Sequence, residues 1–288
     1  MRIGAIIQAR TSSTRLPEKV LKNLPYGSGI AVLRHVISRL KRSKKLSDIV
    51  IATTVKKEDD RIVKIAKRER VKYFRGSNKN VLSRYYLAAK ANKLDIVVRI
   101  TADCPCLDSE IIDLMIERHL KAKADYSSNT RRNPRRLTLE TSFPAGLEVD
   151  VFNFSVLKEA YKNAKMQDEK EHVIPYMYRN FKTNLVKAPK KLCDSDIRIT
   201  LDTEEDYALL CVVFDYLYPR NKYFNAYDLV RLFSEKPWLK WINKKVIQKK
   251  PFSDLVGELR ETVRILDVQD LKRARDFIKK VCIKQRFV

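Results

Sequence analysis

Short apolar runs alternate with stretches of helical spacing from the first residues onward. RIGAIIQA, at 2–9, is an apolar run that ends in a polar loop, and residues 30–40 carry apolar positions at helical spacing. DIVIATTV at 48–55 repeats the strand pattern. A charged helix over 58–68, a short VKYF strand, a helix through VLSRYYLAAKAN and a buried-strand candidate, DIVVRIT, follow in that order. Such β-α-β alternation predicts a largely parallel sheet covered by helices, with ligands gathered at the carboxyl ends of the strands. The polar loops after Ala9 and after Thr101 are therefore the places to look.

Residues 131–141 read as a basic loop, because RRNPRR is too dense in like charge for an interior element. GLEVDVF then reads as a strand, SVLKEAYKNA as a helix, and IRITLD as a strand leading into a helix over 204–218. The alternation stops there. From residue 225 the chain is mainly helical, notably at DLVRLF and LKRARDFIKKV, which predicts a domain over 1–222 and a helical C-terminal appendage over 223–288. There is no internal repeat and no low-complexity linker.

The 288 residues suffice for one large domain with an appendage, and an apolar content of 44% suffices for a packed core. No window approaches the ~20 apolar residues of a membrane-spanning helix. The N-terminus runs directly into polar sequence, so a cytoplasmic location is expected. Five cysteines, at 104, 106, 193, 211 and 282, show no paired spacing and read as thiols. A formal charge of +25 would attract polyanions and would equally steer a small anionic substrate. Much of it lies on amphipathic helices, where a solvated surface accounts for it. With only 6 glycines and many Lys, Ile and Glu residues, the composition is compatible with adaptation to heat.

Candidate chemistry concentrates in the two loops. After the first strand, Arg10, Arg15 and Lys19 stand among the hydroxyls of Thr11, Ser12, Ser13 and Thr14. Guanidinium forks grip phosphate oxygens bidentately, a lysine adds a compact charge, and hydroxyls satisfy remaining acceptors. The loop has neither the Walker glycine framework nor GxGxxG, and alone it also fits a solvated basic turn. The second loop changes that balance. Thr101 and Asp103 close a central-strand candidate, where a carboxylate can hold an oxygen-seeking cation against phosphates. Asp108 or Ser109 serves better than Asp103 as the cap of the following helix. Cys104 and Cys106 lack the further clustered ligands that zinc requires.

These loops, in this order, resemble the CTP-dependent cytidylyltransferases that activate acidic sugars, the acylneuraminate and 3-deoxy-manno-octulosonate enzymes. The likeness is greater to the spore-coat polysaccharide branch. IIQARTSSTRLPEKVL, VLSRYYLAA, RITADCPCLD, FPAGLEVDVF, EKEHVIPYMY and RITLDTEEDYALL carry it over roughly residues 1–220. The resemblance implies a three-layer, Rossmann-like nucleotidyltransferase fold with a mostly parallel mixed sheet. It implies that Arg10, Arg15 and Lys19 contact the triphosphate, with Ala9, Ser13 and Thr101 lining the nucleotide site and Arg75 and Ser83 reading the cytosine. It also implies that Asp202 joins Asp103 around Mg²⁺ or Mn²⁺; local sequence would make Asp202 a helix cap and Asp206 a helix-start residue favoured by the dipole. Glu148, Glu171 and His172 fall where the family builds its sugar pocket. Glu148 equally fits an exposed position on an alternating strand, and His172 a residue packed on a helix. Gln8, where the sialic-acid enzymes carry proline, agrees with the spore-coat branch and leaves the sugar open.

The implied reaction is attack of a hydroxyl of an acidic, sialic-type 2-keto sugar on the α-phosphorus of CTP, within a homodimer. A glycosyltransferase or a nucleotidyltransferase of the same fold using another nucleotide is the alternative within the enzyme class. The alternative from another class is a basic nucleic-acid-binding protein. No RNA-binding motif supports that reading, and basic residues alone predict only non-specific, salt-sensitive association.

Overall fold

A computed structural model describes residues 1–133, 138–246 and 255–284. The chain divides into a large unit, residues 1–134 with 138–247, and a small unit that contains the C-terminal residues from 248.

In the large unit the elements are β1 (Ile3–Gln8), α1 (Val32–Leu40), β2 (Asp48–Thr54), α2 (Asp60–Arg68), β3 (Lys72–Gly76), α3 (Val81–Ala91), β4 (Ile96–Thr101) and α4 (Ser109–Lys121). After them come β5 (Tyr126–Ser128), β6 (Thr130–Asn133), β7 (Thr138–Thr141), β8 (Asp150–Asn153), α5 (Phe154–Asn163), α6 (Gln167–His172), α7 (Pro175–Asn180) and β9 (Thr183–Leu185). The unit ends with α8 (Glu204–Leu217), α9 (Ala226–Glu235) and α10 (Leu239–Ile242).

Seven strands form one sheet in the order β3-β2-β1-β4-β8-β5-β9. β1 is parallel to β2 and β4, and β2 is parallel to β3. β8 runs antiparallel to both β4 and β5, so the sheet is mixed, as expected. Strands buried on both faces read as continuous apolar runs for a visible reason. Ala5 and Ile7 of β1, with Val98 and Ile100 of β4, enter one core with α1, α4 and α8. Ile6 and Val97 enter the other, beneath α3 and α5. These are the three expected layers.

Four details differ from the sequence reading. The basic stretch at 131–141 forms an antiparallel hairpin of β6 and β7, with residues 134–137 outside the described set. Within GLEVDVF only Asp150–Phe152 lie in β8, because Gly146 has φ 110° and turns the chain. A Cβ there would meet the Ile199 carbonyl carbon at 2.8 Å, so the backbones approach where only glycine fits. IRITLD joins no sheet; it makes a single bridge, Ala145 to Arg198. Finally, the domain break comes after residue 247 and not after 222. Phe224, Ala226, Leu229, Phe233 and Leu239 share one core with Leu209, Val213 and Phe214 of α8, so α9 and α10 belong to the same apolar core as α8.

The small unit contains α11 (Leu255–Val268) and α12 (Lys272–Lys284), which pair with each other. None of the described residues of α11 is buried. Arg275 reaches back across the turn to Asp267 at 2.7 Å. Among the described residues no helix is long and apolar enough to cross a membrane.

Candidate active site

Gln8 is in register with Thr101, so the central strands β1 and β4 end side by side and release their loops together. This is the point where the sheet order reverses, β2 lying on one side of β1 and β4 on the other. Open α/β sheets bind ligands there.

The first loop is wound around one residue. The amides of Ser13 and Glu18 both donate to the Thr11 carbonyl, at 2.9 and 3.0 Å. The Thr11 amide and hydroxyl each donate to Asp59 Oδ1 at 2.8 Å, and the Thr54 hydroxyl donates to Asp59 Oδ2. Asp59 is fully buried and anchors the loop to the segment after β2. Leu16 and Val20 plug the loop into the core. Glu18 takes a left-handed φ of 56° at the exit and pairs with Arg61. This frame leaves Arg10 exposed and sets Lys19 at the inner end.

Lys19 lies between two carboxylates. Its Nζ donates to Asp103 Oδ2 at 2.5 Å and to Asp202 Oδ1 at 2.8 Å. Arg15 and Arg198 take the other oxygen of Asp202, at 3.2 and 3.0 Å. The Leu201 amide donates to the Asp103 carbonyl at 2.8 Å, which ties the end of β4 to the 197–202 segment. Burial opposes the Lys19 ammonium, but the attraction of Asp103 and Asp202 prevails and raises it to about 12. Burial likewise opposes the Asp202 carboxylate, yet Lys19 first, then Arg15 and Arg198, bring it down to about 2. Two hard carboxylates gathered around one cation form a donor set suited to a small divalent ion.

Asp202 is not the cap of α8. Thr203 caps the helix, and Asp206 completes the capping box, as its helix-start reading implied. Asp108 caps α4 through the Glu110 amide at 2.8 Å.

The other expected residues make contacts of their own. Ala9 is buried and donates its amide to Ala52 at 3.2 Å. Ser13 is half-buried on the loop, and the Thr101 hydroxyl lies 3.2 Å from Cys104 Sγ. Arg75 donates to the carbonyls of Thr54 and Lys56 at 2.9 and 2.8 Å and pairs with Asp60. The Ser83 hydroxyl donates to the Asn80 carbonyl at 2.8 Å in the first turn of α3. Both hold the chain around β3 and α3. Glu148 Oε2 accepts the Gly146 amide at 2.7 Å, and its charge reaches the buried Cys104 thiol, which burial above all pushes well up. Glu171 and His172 are half-buried on α6; the adjoining Val173 and Ile174 pack with Val81, Leu82 and Tyr85 of α3. The structure therefore joins Arg15, Lys19, Asp103 and Asp202 directly, and the charge of Glu148 reaches Cys104, the neighbour of Asp103.

Asp59 and Arg198 escaped the sequence reading as working residues. Asp59 looks like one more acid of a charged helix, and its partner Thr11 is 48 positions away. Arg198 did leave a signal, an arginine inside an otherwise apolar segment with aspartates four and eight positions later.

An anion-receptive loop beside paired carboxylates, at the switch point of an α/β sheet, defines a nucleotide-handling enzyme. Comparison with known proteins makes this specific. Residues 4–213 match the cytidylyltransferase family. The chain is 39% identical over 257 residues to the uncharacterized protein MJ1063 of Methanocaldococcus jannaschii, covering 86% of this chain and 97% of that one. It is 30% identical over 240 residues to the spore coat polysaccharide biosynthesis protein SpsF of Bacillus subtilis, covering 81% and 94%. A cytidylyltransferase structure from Leptospira borgpetersenii superposes with a TM-score of 0.74 at 34% identity, over 86% of this chain and all of that one. The chain belongs to the cytidylyltransferase family, CTP-dependent nucleotidyltransferases, and its expected fold and branch are borne out.

Proposed function

We propose that the protein transfers CMP from CTP to a hydroxyl of an acidic sugar of the 2-keto, sialic type, releasing pyrophosphate, for a surface polysaccharide or glycan. The observation that carries this reading is the Asp103–Lys19–Asp202 cluster at the carboxyl ends of β1 and β4, beside Arg15. The pair of carboxylates fits Mg²⁺ or Mn²⁺. Two carboxylates leave most of such an ion's coordination shell to phosphate oxygens and water.

Arg10, Arg15 and Lys19 draw in the triphosphate and neutralise the pyrophosphate as it departs. A bond forms between the sugar oxygen and the α-phosphorus while the bond from that phosphorus to the β-bridging oxygen breaks. The hydroxyl proton leaves to solvent, without a dedicated base. Asp103 and Asp202 would hold the divalent ion, which would supply charge neutralisation at the α-phosphate and acidify the attacking hydroxyl. Arg198 keeps Asp202 ionised and oriented. Positioning and electrostatics suffice for such transfers.

Glu148, Glu171 and His172 form the sugar side, and a homodimer in the cytoplasm completes the reading. Incubation with CTP, Mg²⁺ and a panel of 2-keto sugar acids, sialic and related nonulosonic acids among them, tests it. Pyrophosphate together with a CMP conjugate is expected. Equal turnover with UTP or GTP, or conjugates formed only with neutral sugars, would refute it.

A further inference from the structure

A polar network next to the site reaches beyond the family match, which ends at residue 213. Arg198 grips Asp206 with both arms of its fork, Nε to Oδ1 and Nη2 to Oδ2, each at 3.0 Å. The same Nη2 donates to Asp202 Oδ2 at 3.0 Å. Asp206 Oδ2 also accepts the amides of Asp202 and Thr203, at 3.0 and 3.2 Å. The Arg198 guanidinium thus holds one oxygen of Asp202, together with Arg15, while Lys19 holds the other.

One side chain locks the guanidinium's support. Asn243, immediately after α10, donates from Nδ2 to Asp206 Oδ1 at 2.8 Å and to the Arg198 carbonyl at 3.0 Å. An amide nitrogen carries two hydrogens, one for each acceptor. Asn243 is only 5% exposed, and Leu239, one turn before it, is fully buried in the core shared with α8. The clamp therefore rests on a rigid base.

Building on the proposed function, we infer that Asn243 is a positioning residue for Asp202, acting through Asp206 and Arg198, so that the segment of α9 and α10 is a working part of the site. Groups hydrogen-bonded behind a metal-ligating side chain orient it, and their removal typically weakens metal binding about 10–100-fold. Asn243→Asp keeps the shape, replaces both donors by acceptors and adds a charge against Asp206. Asn243→Ala removes both hydrogen bonds without adding charge.

The test is titration of the full-length protein with Mn–CTP, without sugar, followed by water proton relaxation, which reads bound ion and requires no turnover. Asn225→Ala is the control: Asn225 caps α9 through the Asp228 amide at 3.0 Å, so its loss loosens the same segment without touching the clamp. Both Asn243 variants should weaken Mn–CTP binding about tenfold or more, and Asn225→Ala should leave it unchanged at a comparable loss of melting temperature. Unchanged binding in the Asn243 variants, or an equal shift in Asn225→Ala, overturns the inference while the carboxylate pair stands. Asp202→Ala separates the two readings: if it binds Mn–CTP as the wild type does, the metal reading fails and the inference falls with it.

Discussion

Two acidic clusters flank β4, and they differ in how they treat a positive charge. Asp150, 1% exposed, lies in β8 opposite Arg99 in the sheet register and accepts from Arg99 at 3.1 Å and from Tyr126 and Ser128 at 2.8 Å. Its cation is fixed in the sheet. Asp103 and Asp202, with side chains 21% and 23% exposed, share a lysine from a surface loop. That cation, on a side chain 14% exposed, sits at the end of a flexible four-carbon stem. A buried pair within the sheet fixes structure; a partly exposed pair sharing a cation on a long, flexible side chain is arranged to exchange it.

Four substitutions sharpen this contrast, from the largest effect down. Asp103→Ala should cut pyrophosphate release by roughly 10³-fold or more, with an unchanged circular dichroism spectrum. Turnover near wild type would erase the difference between the clusters. Asp150→Asn leaves the Arg99 charge buried without its counterion and should cost about 3–5 kcal/mol in urea unfolding, while the KM for CTP of the folded fraction stays unchanged. The third is a pH effect. Asp202, at about 2 in the folded chain against 3.8 in the unfolded one, adds stability that is complete above pH 4 and lost as pH falls toward 2. That contribution is about 2 kcal/mol, and Lys19→Met should flatten the corresponding slope of stability against pH over that window. A slope equal to wild type would mean that Arg15 and Arg198 alone hold the carboxylate down. The smallest effect is expected of Arg75→Ala: a loss of about 1 kcal/mol of stability, with KM for CTP unchanged within about twofold. A large rise in KM would support the expected contact of Arg75 with the cytosine.

The same contrast explains what was legible in the sequence. β1 and β4 announce themselves because strands covered on both faces must be apolar throughout, and the loops that end them carry their chemistry within a few residues. Tyr126–Ser128 and Thr183–Leu185 are three-residue strands whose membership depends on distant partners, and no local pattern marks them. Asp103 could be placed from its strand end alone. Asp202 could not, since beside Glu204 its local context is that of a helix start; the resemblance supplied its role, and the structure brings it to Lys19 from 183 positions away. The boundary at 222 failed for a related reason, because the apolar face of α9 looks the same whether it covers an appendage or the main core.

The placement of Asn243 and Leu239 also concerns time. The residues that close the core over α8 and clamp Asp206 are made more than two hundred positions after β1, the middle of the parallel strands. At ordinary elongation rates that interval is on the order of tens of seconds. Throughout it a nascent chain has the loop after β1 but lacks the side chain that clamps Asp206.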